Sequence, residues 1–424
     1  MLTAGAEVTV EIEKPAAGGR MIARHEGQIL LVSGAIPGER VRVRIERAEK
    51  RLAFAATIEV IDRSADRRPA SDPLCGGCLY SHIAYPRQVD LKAAIIADTF
   101  TRIGRIPVDG SVPVAPSPAA GYRLRSRLHV RAGAAGFYRV GTHELCDPRT
   151  TNQLSAGAMD SIDRTLAALG DARDAVISLE LSENIGADER ALHFDVVPDA
   201  RTMEPALGRA IEGAQLTGCT ARGQFGPFVR AGNPSVSDPL TTLTSGRVST
   251  GTLRRQPASF FQGNRFLLPD LVVCVLDAVP AAGSVLDLYA GVGLFSIALA
   301  AAGHERITAV EGDRYSGSDL GENAAAYPGV VRAVIGPVED YVQRSRERPQ
   351  TIIVDPPRTG ISREAMESIA GYGADRVIYV SCDPPTMARD ARRLLDAGYS
   401  MASLKGFDLF PNTSHVETVG VFNR

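Results

Sequence analysis

From residue 246 to the C-terminus, short apolar runs alternate with helix-patterned stretches: SVLDLYA, LFSIALAAAG, ITAVEGD, VRAVIG, TIIVDPP, REAMESIAGYG, RVIYVSCD and ARRLLDAG. Apolar runs of four to eight residues separated by helical patterns are what βαβ units look like in sequence, and they predict an α/β, Rossmann-like doubly wound sheet. Such sheets bind ligands beyond the C-terminal ends of their strands. The residues at those ends therefore become the candidates for chemistry. A chain of 424 residues exceeds one ordinary core, so further domains precede this one.

Residues 1–62 read as strands separated by Gly-Gly and Pro-Gly turns (VTVEI, QILLV, VRVRIERA, FAATIEVI), which predicts a small OB-like antiparallel β-barrel. Arg40, Arg42 and Arg44 share one face, which suits either solvent or RNA. Residues 63–245 mix strands and helices and read as an α+β central domain, with an amphipathic helix near 89–104. Within it, GYRLRSRLHVR places Arg123, Arg125, Arg127 and Arg131 on one side of a strand, a row suited to phosphates. The third domain spans 246–424. The net charge of −2 points to no nucleic-acid partner by itself, so any RNA contact must rest on local basic surface. No apolar run approaches the roughly 18 residues of a membrane span, and the N-terminus lacks a secretory pattern, so a cytoplasmic location is expected. Six cysteines in so long a chain argue against a disulfide framework. Oligomeric state leaves no readable mark.

Four strand ends carry polar groups. In VLDLYAGVGLF, Asp287 is followed by a turn with Gly291 and Gly293, and Glu311 closes the next strand, where a carboxylate can accept both hydroxyls of a ribose. Asp355-Pro356-Pro357-Arg358 ends another, its prolines stiffening the backbone. Cys382 ends a fourth, and Glu417 opens the last apolar run. The glycine turn with Glu311 resembles class I S-adenosylmethionine methyltransferases. A thiolate that adds to carbon 6 of uracil makes carbon 5 nucleophilic toward a sulfonium methyl, and a carboxylate must then remove the carbon 5 proton. One Cys, one acid and a sulfonium cofactor satisfy that scheme.

SFFQGN at 259–264, LDLYAGVG at 286–293, VEG at 310–312, DPPRTG at 355–360, VSCDPPTMARD at 380–390 and DLFPNTSHVET at 408–418 together resemble the RNA 5-methyluridine methyltransferases. The segment GGRMIARHEGQILLVSGAIPGERVRV resembles a TRAM domain, which implies RNA contact. The resemblance implies Cys382 as nucleophile, Glu417 as base, and Gln262, Tyr289, Glu311 and Asp355 as contacts of S-adenosylmethionine. Asp287 and Gly291 join them on spacing. Arg358 and Phe261 are candidates for the target base, and Arg123, Arg125 and Arg127 for RNA phosphates. It also implies a structured RNA substrate, tRNA or 23S rRNA. Some members of the family hold an iron–sulfur cluster through C-x5-C-x2-C and a distant Cys. Here Cys75 and Cys78 remain, but position 69 is Pro and Cys146 looks displaced, so CGGC reads as a structural remnant rather than an intact site. Leu294, Pro337 and Asp383 also depart from the family pattern. None touches the Cys or the base, so altered cofactor affinity rather than lost chemistry is expected; the barrel, the arginine strand and the changes at Leu294 and Pro337 leave, as the alternative, a catalytically altered RNA-binding or chaperone protein of the same fold.

Overall fold

The computed structural model describes residues 2–69, 72–108, 110–225 and 228–424. Strands Glu7–Pro15, Met21–His25, Gln28–Ser33, Arg40–Ala48 and Leu52–Asp62 close into a barrel. Alternation explains its core: along Arg40–Ala48, Val41, Val43 and Ile45 point inward while Arg40, Arg42 and Arg44 point out. Each of these arginines faces an acid on a neighbouring strand, Asp62 at 3.8 Å, Glu59 at 2.7 Å and Glu7 at 2.9 Å. Exposed pairs of this kind contribute little stability, but they cancel the basic edge.

The helix expected near 89–104 starts earlier, at Tyr85, and runs to Thr99 before a wider turn through Gly104. It buries Leu91, Ile95 and Ile96 and also Lys92, whose ammonium reaches Asp408 at 2.5 Å. Val114–Ala115 then pairs with Gly406 and Phe407 at the edge of the C-terminal sheet. A seven-stranded sheet follows, in the order Val229–Gly232, Gly218–Phe225, Arg190–Asp199, Val176–Glu183, Arg125–Arg131, Ala134–Tyr138, Leu145–Cys146. One face buries Leu128, Leu179, Leu181, Leu192 and Phe194 in a core shared with helices Ala156–Leu169 and Glu204–Ala214.

The C-terminal sheet has eight strands: Val331–Ile335, Ile307–Glu311, Val285–Leu288, Thr351–Val354, Arg376–Ser381, Glu417–Asn423, Ser400–Phe407 and Val114–Ala115. The first five are parallel, and the last strand of the chain inserts antiparallel beside Arg376–Ser381, with Ser381 opposite Thr418. That inversion matters. It brings the start of Glu417–Asn423 to the same edge at which the parallel strands end.

One expectation is corrected. The cysteine count argues against a disulfide framework, yet Cys75 and Cys146, 71 positions apart in sequence, form a disulfide, with Cα atoms 5.8 Å apart. The bond ties the segment after the barrel to the edge of the seven-stranded sheet. Cys78 is a free, buried thiol that accepts a hydrogen bond from Gln153 Nε2 at 3.3 Å.

Candidate active site

At the C-terminal edge of the parallel strands lies a cavity of about 680 Å³. Its wall includes Gln262, Tyr289, Gly291, Glu311, Asp355 and Arg358, together with Cys382 and Glu417. Apart from Gln262, which comes from the segment between strand Thr252–Arg255 and helix Leu268–Ala278, these residues reach one space because each follows or opens a strand of the same sheet.

The turn after Val285–Leu288 shows why it is glycine-rich. Gly291 and Gly293 have φ of 58° and 91°, and a Cβ on Gly293 would stand 2.9 Å from Leu320. Tyr289 holds the left-handed conformation without being glycine, at φ 61°, the sort of local strain that persists where surrounding contacts impose it. Its hydroxyl donates to Glu339 Oε1 at 2.8 Å. Glu311 accepts the Gly291 amide at 2.7 Å and the Asp313 amide at 2.6 Å, so its carboxylate is fixed at the strand end. Gln262 Nε2 donates to Asp355 at 3.0 Å. Asp287 does not line the cavity. It is buried beneath the turn, bonded to the Ser296 hydroxyl, and it supports the cavity floor.

Burial raises the pKa of all four carboxyl groups: Asp287 and Asp355 to about 7, with Glu311 also raised and Glu417 raised well above its ordinary value. The negative neighbours add to the effect at each of Asp355 and Glu417. Acids so placed release their protons when a cation settles among them. The Cys382 thiol is likewise pushed up to about 12, first by burial and then by Glu417, while Arg358 pulls it down. Glu417 has one carboxyl oxygen, Oε1, without a hydrogen-bond partner among the described residues. The thiol sits just before helix Pro384–Asp396, whose first turn is capped by Asp383 accepting from the Thr386 amide at 2.9 Å. Asp serves as N-cap as well as Asn does, which gives the Asp383 departure a local reason. Leu294 and Pro337 both face the cavity as apolar wall.

The remaining candidates separate. Arg358 stands at the rim, 3.5 Å from His415 Nε2. Phe261 lines the cavity but is buried, with the Arg255 guanidinium 3.9 Å from its ring centre. Its neighbour Phe260 is 58% exposed at the mouth. Sequence reading missed Phe260, Glu339 and Phe410; Phe260 and Phe410 lie within recognised motifs, whereas Glu339 lies outside all of them. Arg123 turns inward to Gln153, and Arg125 bonds Glu180 at 2.7 Å and the Ser259 carbonyl at 3.0 Å. Neither lines the cavity, and of the three only Arg127 is half exposed, beside Asp195.

The sequence and fold agree with known proteins. The family profile of tRNA (Uracil-5-)-methyltransferase matches residues 341–424, and that of the TRAM domain matches residues 2–58. An uncharacterized RNA methyltransferase of Streptomyces coelicolor is 31% identical over 447 residues, covering 98% of this chain and 93% of that protein. The chain belongs to the RNA (uracil-5-)-methyltransferase family. The 23S rRNA (uracil(1939)-C(5))-methyltransferase RlmD of Methylococcus capsulatus is 31% identical over 451 residues, covering 98% of this chain and 97% of that one. The fold is shared with the Pyrococcus abyssi tRNA (uracil-54, C5)-methyltransferase, solved with S-adenosyl-L-homocysteine, at a TM-score of 0.77 and 22% identity over 97% of this chain and 99% of that one. Among the described residues, no helix is long and apolar enough to cross a membrane, and no group of three or more His, Cys, Asp and Glu could hold a metal ion.

Proposed function

We propose that this RNA methyltransferase transfers a methyl group to carbon 5 of a uridine in tRNA or 23S rRNA, with Cys382 as nucleophile and Glu417 as base. The observation that carries the reading is their meeting in one cavity, across the antiparallel register of Ser381 and Thr418. The cavity also suits S-adenosylmethionine. Its carboxyl groups match two cationic centres and a ribose diol, and its apolar wall of Leu294, Phe295, Val292 and Val338 matches an adenine plane. Gln262, Tyr289, Glu311 and Asp355 would hold it. When bound, it supplies an electrophilic methyl carbon.

The protein's own groups then have defined tasks. Burial keeps Cys382 a protonated thiol at rest, so its proton passes to solvent as the nucleophile forms; Arg358, the cation that lowers the thiol pKa, favours that thiolate, and the sulfur adds to carbon 6 of uracil. Negative charge moves to the O4–C4–C5 system, making carbon 5 nucleophilic. Once carbon 5 carries a methyl group as well as its hydrogen, Glu417 removes that proton. The C5–H electrons restore the double bond as the carbon–sulfur bond breaks and the thiolate leaves. The unpartnered Glu417 Oε1 is the atom available for this transfer.

The test uses purified protein, labelled S-adenosylmethionine and unmodified tRNA and 23S rRNA. Nuclease digestion should release labelled 5-methyluridine. Cys382→Ala should abolish transfer. Glu417→Gln should leave methylated RNA joined to Cys382 on a denaturing gel, because elimination then lacks its base. Unimpaired turnover by Cys382→Ala would sink the mechanism.

A further inference from the structure

The face of the seven-stranded sheet that turns away from its two helices has a composition that structural packing does not require. Cross-strand pairing places Arg127, Glu180, His193, Thr220 and Arg230 in one row across it. Asp195 and Arg222 oppose one another in the next. Where cations and acids pair, the cation is the outer member: the Arg127 and Arg222 side chains are 52% and 47% exposed against 17% for Asp195, which they share. Arg230 is exposed and has no ion-pair partner among the described residues. The outer layer of this face is therefore cationic, although the whole chain carries −2.

Aromatic rings are interleaved with these cations. Phe228, 38% exposed, stacks on His193 with ring centres 5.8 Å apart, and next to it lies Tyr315, 6.2 Å away. Tyr315 belongs to the C-terminal domain, takes a hydrogen bond from Arg222 at 3.3 Å, and precedes Ser316, which lines the cavity. At the other end of the sheet His129 stacks on Tyr138 at 3.7 Å. Between the face and the cavity mouth stands Phe260, with the Arg125 guanidinium 5.7 Å from its ring centre.

Guanidiniums spaced among accessible rings match single-stranded nucleic acid, whose phosphates pair with the cations while its bases stack. We propose that this face holds the single-stranded RNA flanking the target uridine, with Arg222 and Arg230 on phosphates and a base on the Phe228–Tyr315 platform. The strand then passes Phe260 into the cavity. The inference rests on the reading of RNA as substrate, but it assigns a surface that this reading leaves open.

The test measures binding of the full-length protein to a fluorescent single-stranded oligoadenylate of about 12 nucleotides, a length within the reach of such platforms. Containing no uridine, it reports the face independently of methyl transfer. Phe228→Ala should weaken binding about 10-fold. Arg222→Gln and Arg230→Gln should each lower the slope of log affinity against log salt by about 0.7. In methylation assays the variants should raise KM for RNA and leave kcat at saturating RNA unchanged. Wild-type affinity and salt slope in all three variants, or no binding by the wild type, overturn the proposal. A wild type that binds through this face yet methylates neither tRNA nor 23S rRNA refutes the assigned reaction and leaves the face standing.

Discussion

Asp287 shows how a residue can be placed correctly by motif and still have another task. It lies one residue before the end of strand Val285–Leu288, close to where the sequence implies, yet it sits under the glycine turn rather than in the cavity. With a folded pKa of about 7 against about 3.9 in an unfolded chain, it binds its proton more tightly when folded. The stability it contributes is fully present below about pH 4 and is lost as pH rises through 7, at about 1.4 kcal/mol per unit in between. Asp287→Asn, which can still accept from Ser296, should therefore flatten the fall in Tm between pH 5 and 7. Parallel Tm profiles of wild type and variant across that range would refute the assignment. Asp355, also at about 7, contributes in the same direction, and because the Asp287 charge is among the causes that raise it, the substitution flattens its contribution as well.

At the scale of elements, the loop from Asp408 to Thr413 that leads into Glu417–Asn423 is held by residues far from it in sequence. Lys92 bonds Asp408 and the Phe410 carbonyl, Tyr122 donates to the Pro411 carbonyl at 3.2 Å, and Gln88 and Tyr80 secure Asn412. Phe410 in turn faces the cavity. Removing one partner of a buried ion pair leaves the other charged without compensation, so Lys92→Met should cost about 3–5 kcal/mol in denaturant unfolding. Combining it with Asp408→Asn should return part of that loss; an additive loss would mean that the pair is not coupled. Neither residue stood out in sequence, because a lysine in a helix pattern reads as solvated until its partner, 316 positions away, is known. The same reason separates what was legible from what was not. Strand ends were legible, since apolar runs stop at polar residues, and so were Cys382, Glu311 and Asp355. The approach of Cys382 to Glu417 followed only from the motif resemblance, because nothing local announces that the last strand inserts antiparallel. The arginine row was legible as a face, but its acids sit on strands distant in sequence.

For the whole molecule, the Cys75–Cys146 bond is the covalent link between the segment that leaves the barrel and the seven-stranded sheet. Around it, Gln153 joins the Gly76 carbonyl, Cys78 and Arg123, and Arg123 lies 5.9 Å from the Phe410 ring centre. The bond thus adjoins contacts that continue to the cavity wall. A crosslink closing a loop of 71 residues removes enough unfolded-state entropy to stabilise by about 4 kcal/mol in the chain-entropy picture. Dithiothreitol should therefore lower the Tm of the wild type by several degrees, roughly 2–4 °C per kcal/mol even for large domains. The double variant Cys75→Ser, Cys146→Ser should melt near the reduced wild type and be insensitive to the reductant. If the oxidised wild type and the double variant melt together, the bond contributes nothing to the fold. A lowered Tm with unchanged methyl transfer at 25 °C would place the effect in holding the domains rather than in shaping the cavity, since the thiol of Cys382 takes no part in the bond.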